Sequence, residues 1–199
     1  MYLCYNDYIT PEGAARMTNI EKMKSYLSKY VFPQLYEKGF TGKWPHFRRE
    51  LGDCIELVSF TTNKWGGSFI VEVSAVFPNC ENKNYRPWEG LTTDQLNVWN
   101  TNNRYCLKGR KYDGWFHYRD LYRKFYIGVG IIYHHATEKQ GETFVPPKGY
   151  KLVRKFDDEV ALEICNEINR QFPKAFKWLD KFEKKHQKKY DKPKGGTKL

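Results

Sequence analysis

The chain has 199 residues, of which 17% are aromatic, and a formal net charge of +11. That length fits one domain with a core that needs neither disulfides nor a structural metal, and the aromatic content argues against disorder throughout. The charge is uneven: residues 181–199 hold eight lysines against Glu183 and Asp191, a pattern more typical of a solvated end than of a specific nucleic-acid reader.

In chain order, residues 1–16 show no clear period. Met17 follows them and precedes a good helix. Residues 1–16 are therefore expected to be an N-terminal arm or upstream extension, 17–182 a single domain and 183–199 a basic flexible tail. Thr18 or Asn19 can cap a helix over 18–38. Ile20, Met23, Leu27, Tyr30, Val31 and Leu35 form its apolar face, Pro33 predicts a kink or two pieces, and Gly39 marks its end.

Three strands are expected next, over Trp44–Glu50, Cys54–Thr62 and Ser68–Phe77, the last alternating at Phe69, Val71, Val73, Ala75 and Phe77. The link Asn63–Gly67 reads as a hairpin tip because Gly66 and Gly67 can take positive φ. Residues 78–103 read as a long polar loop, shortened by a helix at Thr93–Trp99. Short strands are predicted at Arg104–Leu107 and Trp115–Tyr118, and a helical turn at Leu121–Lys124. Phe125–His134 is an apolar run, read as a buried strand or a short helix, with Gly128 and Gly130 favouring the strand. Residues 136–156 read as a loop. Asp157 or Asp158 caps a final helix, with Ala161, Ile164, Cys165, Ile168 and Phe172 as one stripe that resumes after Pro173 and ends at Phe182.

The succession Glu37-Lys38-Gly39-Phe40, Phe47-Arg48-Arg49-Glu50 and Lys64-Trp65-Gly66-Gly67-Ser68-Phe69 resembles the domain of unknown function 4304 family. The likeness is best over residues 20–78 and weaker over Arg104, Asp113-Gly114-Trp115-Phe116 and the last helix. It implies an α+β bacterial protein and no catalytic residues. Small bacterial families of this kind are sometimes encoded beside toxin or defence genes, an association by analogy only.

Five cysteines, Cys4, Cys54, Cys80, Cys106 and Cys165, are widely spaced with no Cys-x-x-Cys. That argues against a zinc ribbon or a disulfide framework and for a reducing, cytoplasmic setting; Cys54 and Cys165 read as core residues. No run approaches the roughly 18 apolar residues of a membrane span. His134-His135 would face opposite sides of a strand, so no metal is expected there. No Gly-x-Ser-x-Gly elbow and no phosphate-binding glycine loop occurs. Asp53, Glu56 and Glu72 could pair as carboxylates, but solvent-facing alternation also explains Glu56 and Glu72.

Basic and aromatic residues interleave between Arg104 and Lys124: Arg104, Arg110, Arg119 and Arg123 with Trp115 and several tyrosines. Such a mixture suits unpaired nucleic acid; a sheet with aromatics inward and arginines outward is the simpler explanation. The expected fold is α+β: an N-terminal helix, a mainly antiparallel sheet of about five strands, and a long C-terminal helix packed on one face. The function expected first is a non-catalytic protein-interaction module without a cofactor, in an immunity or defence setting, anchored by Trp65, Trp88 and Trp99. The alternative is a nucleic-acid-binding protein using Arg104, Arg110, Trp115, Arg119, Arg123 and the lysine tail. Another protein is thus the expected partner, then nucleic acid, with no membrane; the oligomeric state is not legible.

Overall fold

The computed structural model describes residues 17–64, 66–78, 90–109, 114–127, 130–136 and 145–190. The 1–16 arm, Trp65, Trp88, Arg110, Cys4, Cys80 and residues 191–199 lie outside that set.

Helix α1 spans Asn19–Tyr30. Thr18 caps it reciprocally with Glu21: the Glu21 backbone N–H donates to Thr18 Oγ1 at 3.3 Å, and the Thr18 N–H donates to the Glu21 carboxylate at 2.8 Å, so two otherwise orphaned donors are satisfied. The helix is in two pieces, one of the two forms expected from Pro33. It breaks at Val31, and α2, Phe32–Glu37, begins with Pro33 in its first turn, where a missing N–H costs no helical hydrogen bond. Gly39, at φ 82°, then turns the chain into the sheet.

The main sheet is antiparallel. It contains β1 (Thr41–Lys43), β2 (His46–Leu51), β3 (Cys54–Thr62), β4 (Ser68–Val76) and β5 (Arg104–Leu107) in that order, with β6 (Phe116–His117) pairing the far end of β4. One face is apolar. Phe47, Val58, Phe60, Val71, Val73 and Leu107 are buried there against Met23, Leu27 and Leu35 of the first two helices and Ile168, Phe172 and Leu179 of the last. Burying each such side chain contributes on the order of 1.5–3 kcal/mol. Rings of Phe32, Trp44, Phe47 and Phe69 all surround Phe60.

The segment after β4 makes two short 3-10 turns, Thr93–Gln95 and Val98–Asn100, instead of one helix. Leu96 and Val98 lie over Ile55, Leu57 and Val76 on the second face of the sheet. The middle of β3 and β4 is therefore buried on both sides. Neither glutamate is solvent-facing, as strand alternation suggested: Glu72, on this second face, is 4% exposed, and Glu56, on the helix-covered face with Val58 and Phe60, is 0% exposed.

Helix α3 runs from Asp158 through Pro173 to Tyr190, past Phe182, where the apolar stripe ends. Asp157 Oδ1 accepts the Val160 N–H at 3.0 Å as its cap. The fold is α+β, with a helix first, an antiparallel sheet and a long final helix.

The segment 121–154 departs most from expectation. Leu121–Lys124 is not a helical turn; it belongs to β7 (Leu121–Tyr126). The apolar run Phe125–His134 is split between the end of β7, a turn and β8 (Gly130–His135), and β9 (Lys151–Arg154) lies in what read as a loop. These three strands form a second antiparallel sheet, ordered β8-β7-β9. Its base is tied down by side-chain bonds to the main chain. Arg119 Nη1 donates to the Ala136 carbonyl at 2.9 Å, and Asp120 Oδ1 accepts the Phe156 N–H at 2.7 Å.

Candidate functional site

The residues nominated from sequence are dispersed. Trp99 stands on the second 3-10 turn and is 55% exposed, whereas Trp115 is half-buried. The Arg104 guanidinium pairs with Glu72 at 3.3 Å. Arg123 is exposed on β7. Arg119 is buried, with its side chain lying across the β3–β4 hairpin. A Cβ built on Gly67 would fall 1.0 Å from Arg119 Nε, and Gly67 takes φ +68°. The Gly66-Gly67 pair thus serves the turn and also lets an arginine and the Tyr118 N–H, which donates to the Gly67 carbonyl at 3.0 Å, approach the backbone. Among the described residues of 104–124, Arg104 is paired with Glu72, Arg119 is buried and Arg123 is exposed on another sheet.

Two polar groupings occur in the main sheet. In the first, Arg49 Nε donates to Glu56 Oε2 at 2.7 Å, Arg49 Nη1 donates to the Lys38 carbonyl at 2.6 Å, and the guanidinium sits 4.9 Å from the Phe40 ring centre. Burial pushes the Glu56 carboxyl upward, and the Arg49 guanidinium opposes that shift. The arginine therefore locks the end of α2 onto the sheet. Arg48 beside it donates to the Thr93 carbonyl.

The second grouping is a row across four strands, His46, Ser59, Glu72 and Cys106, set side by side by the sheet register. His46 Nδ1 and Ser59 Oγ share a 2.8 Å hydrogen bond. Glu72 accepts from Thr61 Oγ1 at 3.2 Å, from Arg104, and from the Cys106 thiol at 3.8 Å. Histidine, serine and carboxylate together suggest acyl transfer. The geometry does not support it. Ser59 is 1% exposed in the middle of a regular strand, away from any sharp turn that would present it beside free backbone N–H donors. Burial lowers the His46 pKa, and burial followed by the Glu72 charge raises that of the Cys106 thiol. Ser59 and Glu72, at the centre of the row, are buried and hydrogen-bonded within the sheet, whereas His46 and Cys106 at its ends are exposed. Burial pushes the thiols of Cys54 and Cys165 up to about 12, so both are inert core groups. Among the described residues no group of three or more His, Cys, Asp or Glu could hold a metal ion.

The β8-β7-β9 sheet differs from both. The pairings Tyr122↔Leu152 and Lys124↔Ile132 lie on one face, and Arg123↔Lys151 and Phe125↔Ile131 on the other. Both faces carry exposed apolar side chains: Leu152 at 52% and Ile132 on the first, Phe125 at 70% and Ile131 at 50% on the second. Ile127, at the turn, is 96% exposed. Cations surround them: Arg123, Lys151 and Lys155 are exposed, and Lys124 reaches over the Tyr150 ring. An apolar cluster with a charged border is the usual form of a docking surface. Sequence reasoning missed it because Arg123 and Lys124 broke the apolar pattern of β7.

Residues 31–104 match the model of a family described as Domain of unknown function (DUF4304). The matched stretch runs from the α1–α2 break to the first residue of β5. It contains the Arg49–Glu56 lock and the Gly66-Gly67 hairpin, whereas the β8-β7-β9 sheet and α3 lie beyond it. No curated protein and no solved structure matches the chain. Among the described residues no helix is long and apolar enough to cross a membrane.

Proposed function

We propose that the chain is a binding protein and that its β8-β7-β9 sheet docks another protein. One observation carries this reading: a small sheet exposes large apolar side chains on both faces. Three strands gain stability from a covered apolar face, and a partner would supply that cover. Phe125 and Ile131, adjacent across β7 and β8, are the central anchors. The partner fits best as an apolar surface bordered by carboxylates, because Arg123, Lys124 and Lys151 rim the patch. The same cations oppose a second copy of this chain.

The test uses tagged full-length chain to capture partners from host lysate after nuclease treatment, with wild type and Phe125→Asp/Ile131→Asp side by side. A protein held by wild type and lost by a variant of unchanged melting temperature supports the reading. Equal capture by both, or concentration-dependent self-association of wild type abolished by the variant, overturns it.

A further inference from the structure

We propose that the exposed ridge of α3 is a second binding surface, one that grips the phosphate backbone of nucleic acid. The helix is one element from Asp158 to Tyr190. Its apolar stripe, including Phe172, Ala175 and Leu179, is buried in the core. On the opposite side Lys174, Lys177, Lys181 and Lys184 recur at alternating steps of three and four, with Lys185 adjoining, so that all five ammonium groups project from one face. All five lysines are exposed. Among the described residues none of them has an ion-pair partner. Arg170, one turn earlier, is by contrast neutralised by Glu167 at 2.7 Å. At 1.5 Å per residue the ridge from Lys174 to Lys185 extends about 16 Å.

Asp180, three residues after Lys177 and four before Lys184, borders the ridge on one side, and Glu183 lies further round the helix. Among the described residues neither carboxylate forms an ion pair with a ridge lysine. The ridge is thus a row of five cations with one bordering carboxylate. The acidic residues Asp158, Glu159 and Glu163 sit at the other end of the helix.

Three candidate partners meet such a line differently. A membrane surface binds a helix through an exposed apolar face, and here that face is committed to the core. A protein interface needs a desolvated apolar centre, where lysine is depleted. A phosphate backbone needs only cations in a row, which bind by releasing its condensed counterions. The chemistry therefore selects nucleic acid, read without regard to sequence, since no base-edge donor or acceptor set accompanies the lysines. This surface is separate from the β8-β7-β9 sheet, and each can fail without the other.

The experiment is fluorescence anisotropy of labelled oligothymidylate and of a short duplex with the full chain, over roughly 50 to 200 mM salt. Five phosphate contacts give a slope of log K against log salt of about −3.5 on the single strand. Lys177→Gln/Lys181→Gln lowers that magnitude by about 1.4. The same charge removed at the exposed Lys43 and Lys148 leaves it unchanged. Among the described residues none of these four side chains makes an ion pair. A slope that falls only in the ridge variant, on either oligonucleotide, supports the proposal. It is overturned if neither oligonucleotide is retained, if the two charge-matched variants behave alike, or if only phosphatidylserine vesicles bind.

Discussion

The two sheets of this protein are both antiparallel and both rich in apolar and aromatic side chains, yet they are covered in opposite ways. The six-stranded sheet has helices on one face and the 93–101 segment over part of the other, so even Glu56, Ser59 and Glu72 are sealed within it. The three-stranded sheet leaves Phe125, Ile131 and Leu152 in water. In the first sheet an aromatic ring contributes to stability. In the second the same kind of ring stays available to a partner, and little of the fold depends on it. Among the described residues Glu56, Ser59 and Glu72 are bonded within the fold, whereas the surfaces proposed for recognition are outside the buried region, on the small sheet and on the lysine face of α3.

The largest expected effect tests the covered sheet. Phe60 is fully buried and surrounded by four other rings. Phe60→Ala removes that packing and leaves a cavity, at a cost of about 3–5 kcal/mol. Urea denaturation followed by fluorescence reads the loss as a lower midpoint. A shift under about 1 kcal/mol would mean that the ring cluster is not the centre of the core.

A slightly smaller effect is expected at the Arg49–Glu56 pair. Arg49→Met leaves a fully buried carboxylate without its guanidinium, and breaking such a pair costs about 3 kcal/mol. The pH dependence has a definite sign. Burial raises the folded pKa of Glu56 above its usual value, so the folded state holds that proton more tightly than the unfolded chain. Stability therefore declines as pH rises from the unfolded pKa through the folded one. Removing Arg49 takes away the one influence pulling that pKa down, so the loss should be greatest at neutral pH and shrink as pH falls towards the ordinary carboxyl range. Arg49→Met/Glu56→Leu should recover much of the stability, because an apolar pair needs no charge partner. Denaturation midpoints across pH for the three proteins decide this; a deficit in Arg49→Met that is flat with pH contradicts it.

The same contrast explains what could be read from sequence. β3 and β4 were legible because β-branched and aromatic residues run between clear turns, and β3 spans the predicted Cys54–Thr62. The stripe of α3 and the Thr18 cap were legible for equally local reasons. Glu56 was misplaced because it alternates with Val58 and Phe60 and so shares the core face, and alternation misled at Glu72 because it assumes one wet face and the 93–101 segment covers the second. It failed entirely on β7-β8-β9: with both faces open, apolar and charged residues need not alternate, and Tyr122-Arg123-Lys124 looked more like a helical turn. Lys184 and Lys185 of the ridge were counted with the 183–199 tail because the apolar stripe stops at Phe182, while the helix continues to Tyr190. The 104–124 cluster was misleading because adjacency in sequence says nothing of an arginine folded over a glycine hairpin, as Arg119 is.

The smallest expected effect is at Phe125, and its smallness is what makes it informative. The side chain is 70% exposed, so trimming it forfeits little packing, and Phe125→Ala should change the unfolding free energy by less than about 0.5 kcal/mol. Set beside Phe60→Ala, that is several-fold less for the same chemical change in the same protein. The ratio measures cover directly, since ring size and strand geometry are shared. If Phe125→Ala instead cost several kcal/mol, the ring would already be buried within the free chain and the small sheet would be part of the core. A near-neutral result, together with loss of captured protein in Phe125→Asp/Ile131→Asp, would place the value of that ring in binding and not in folding.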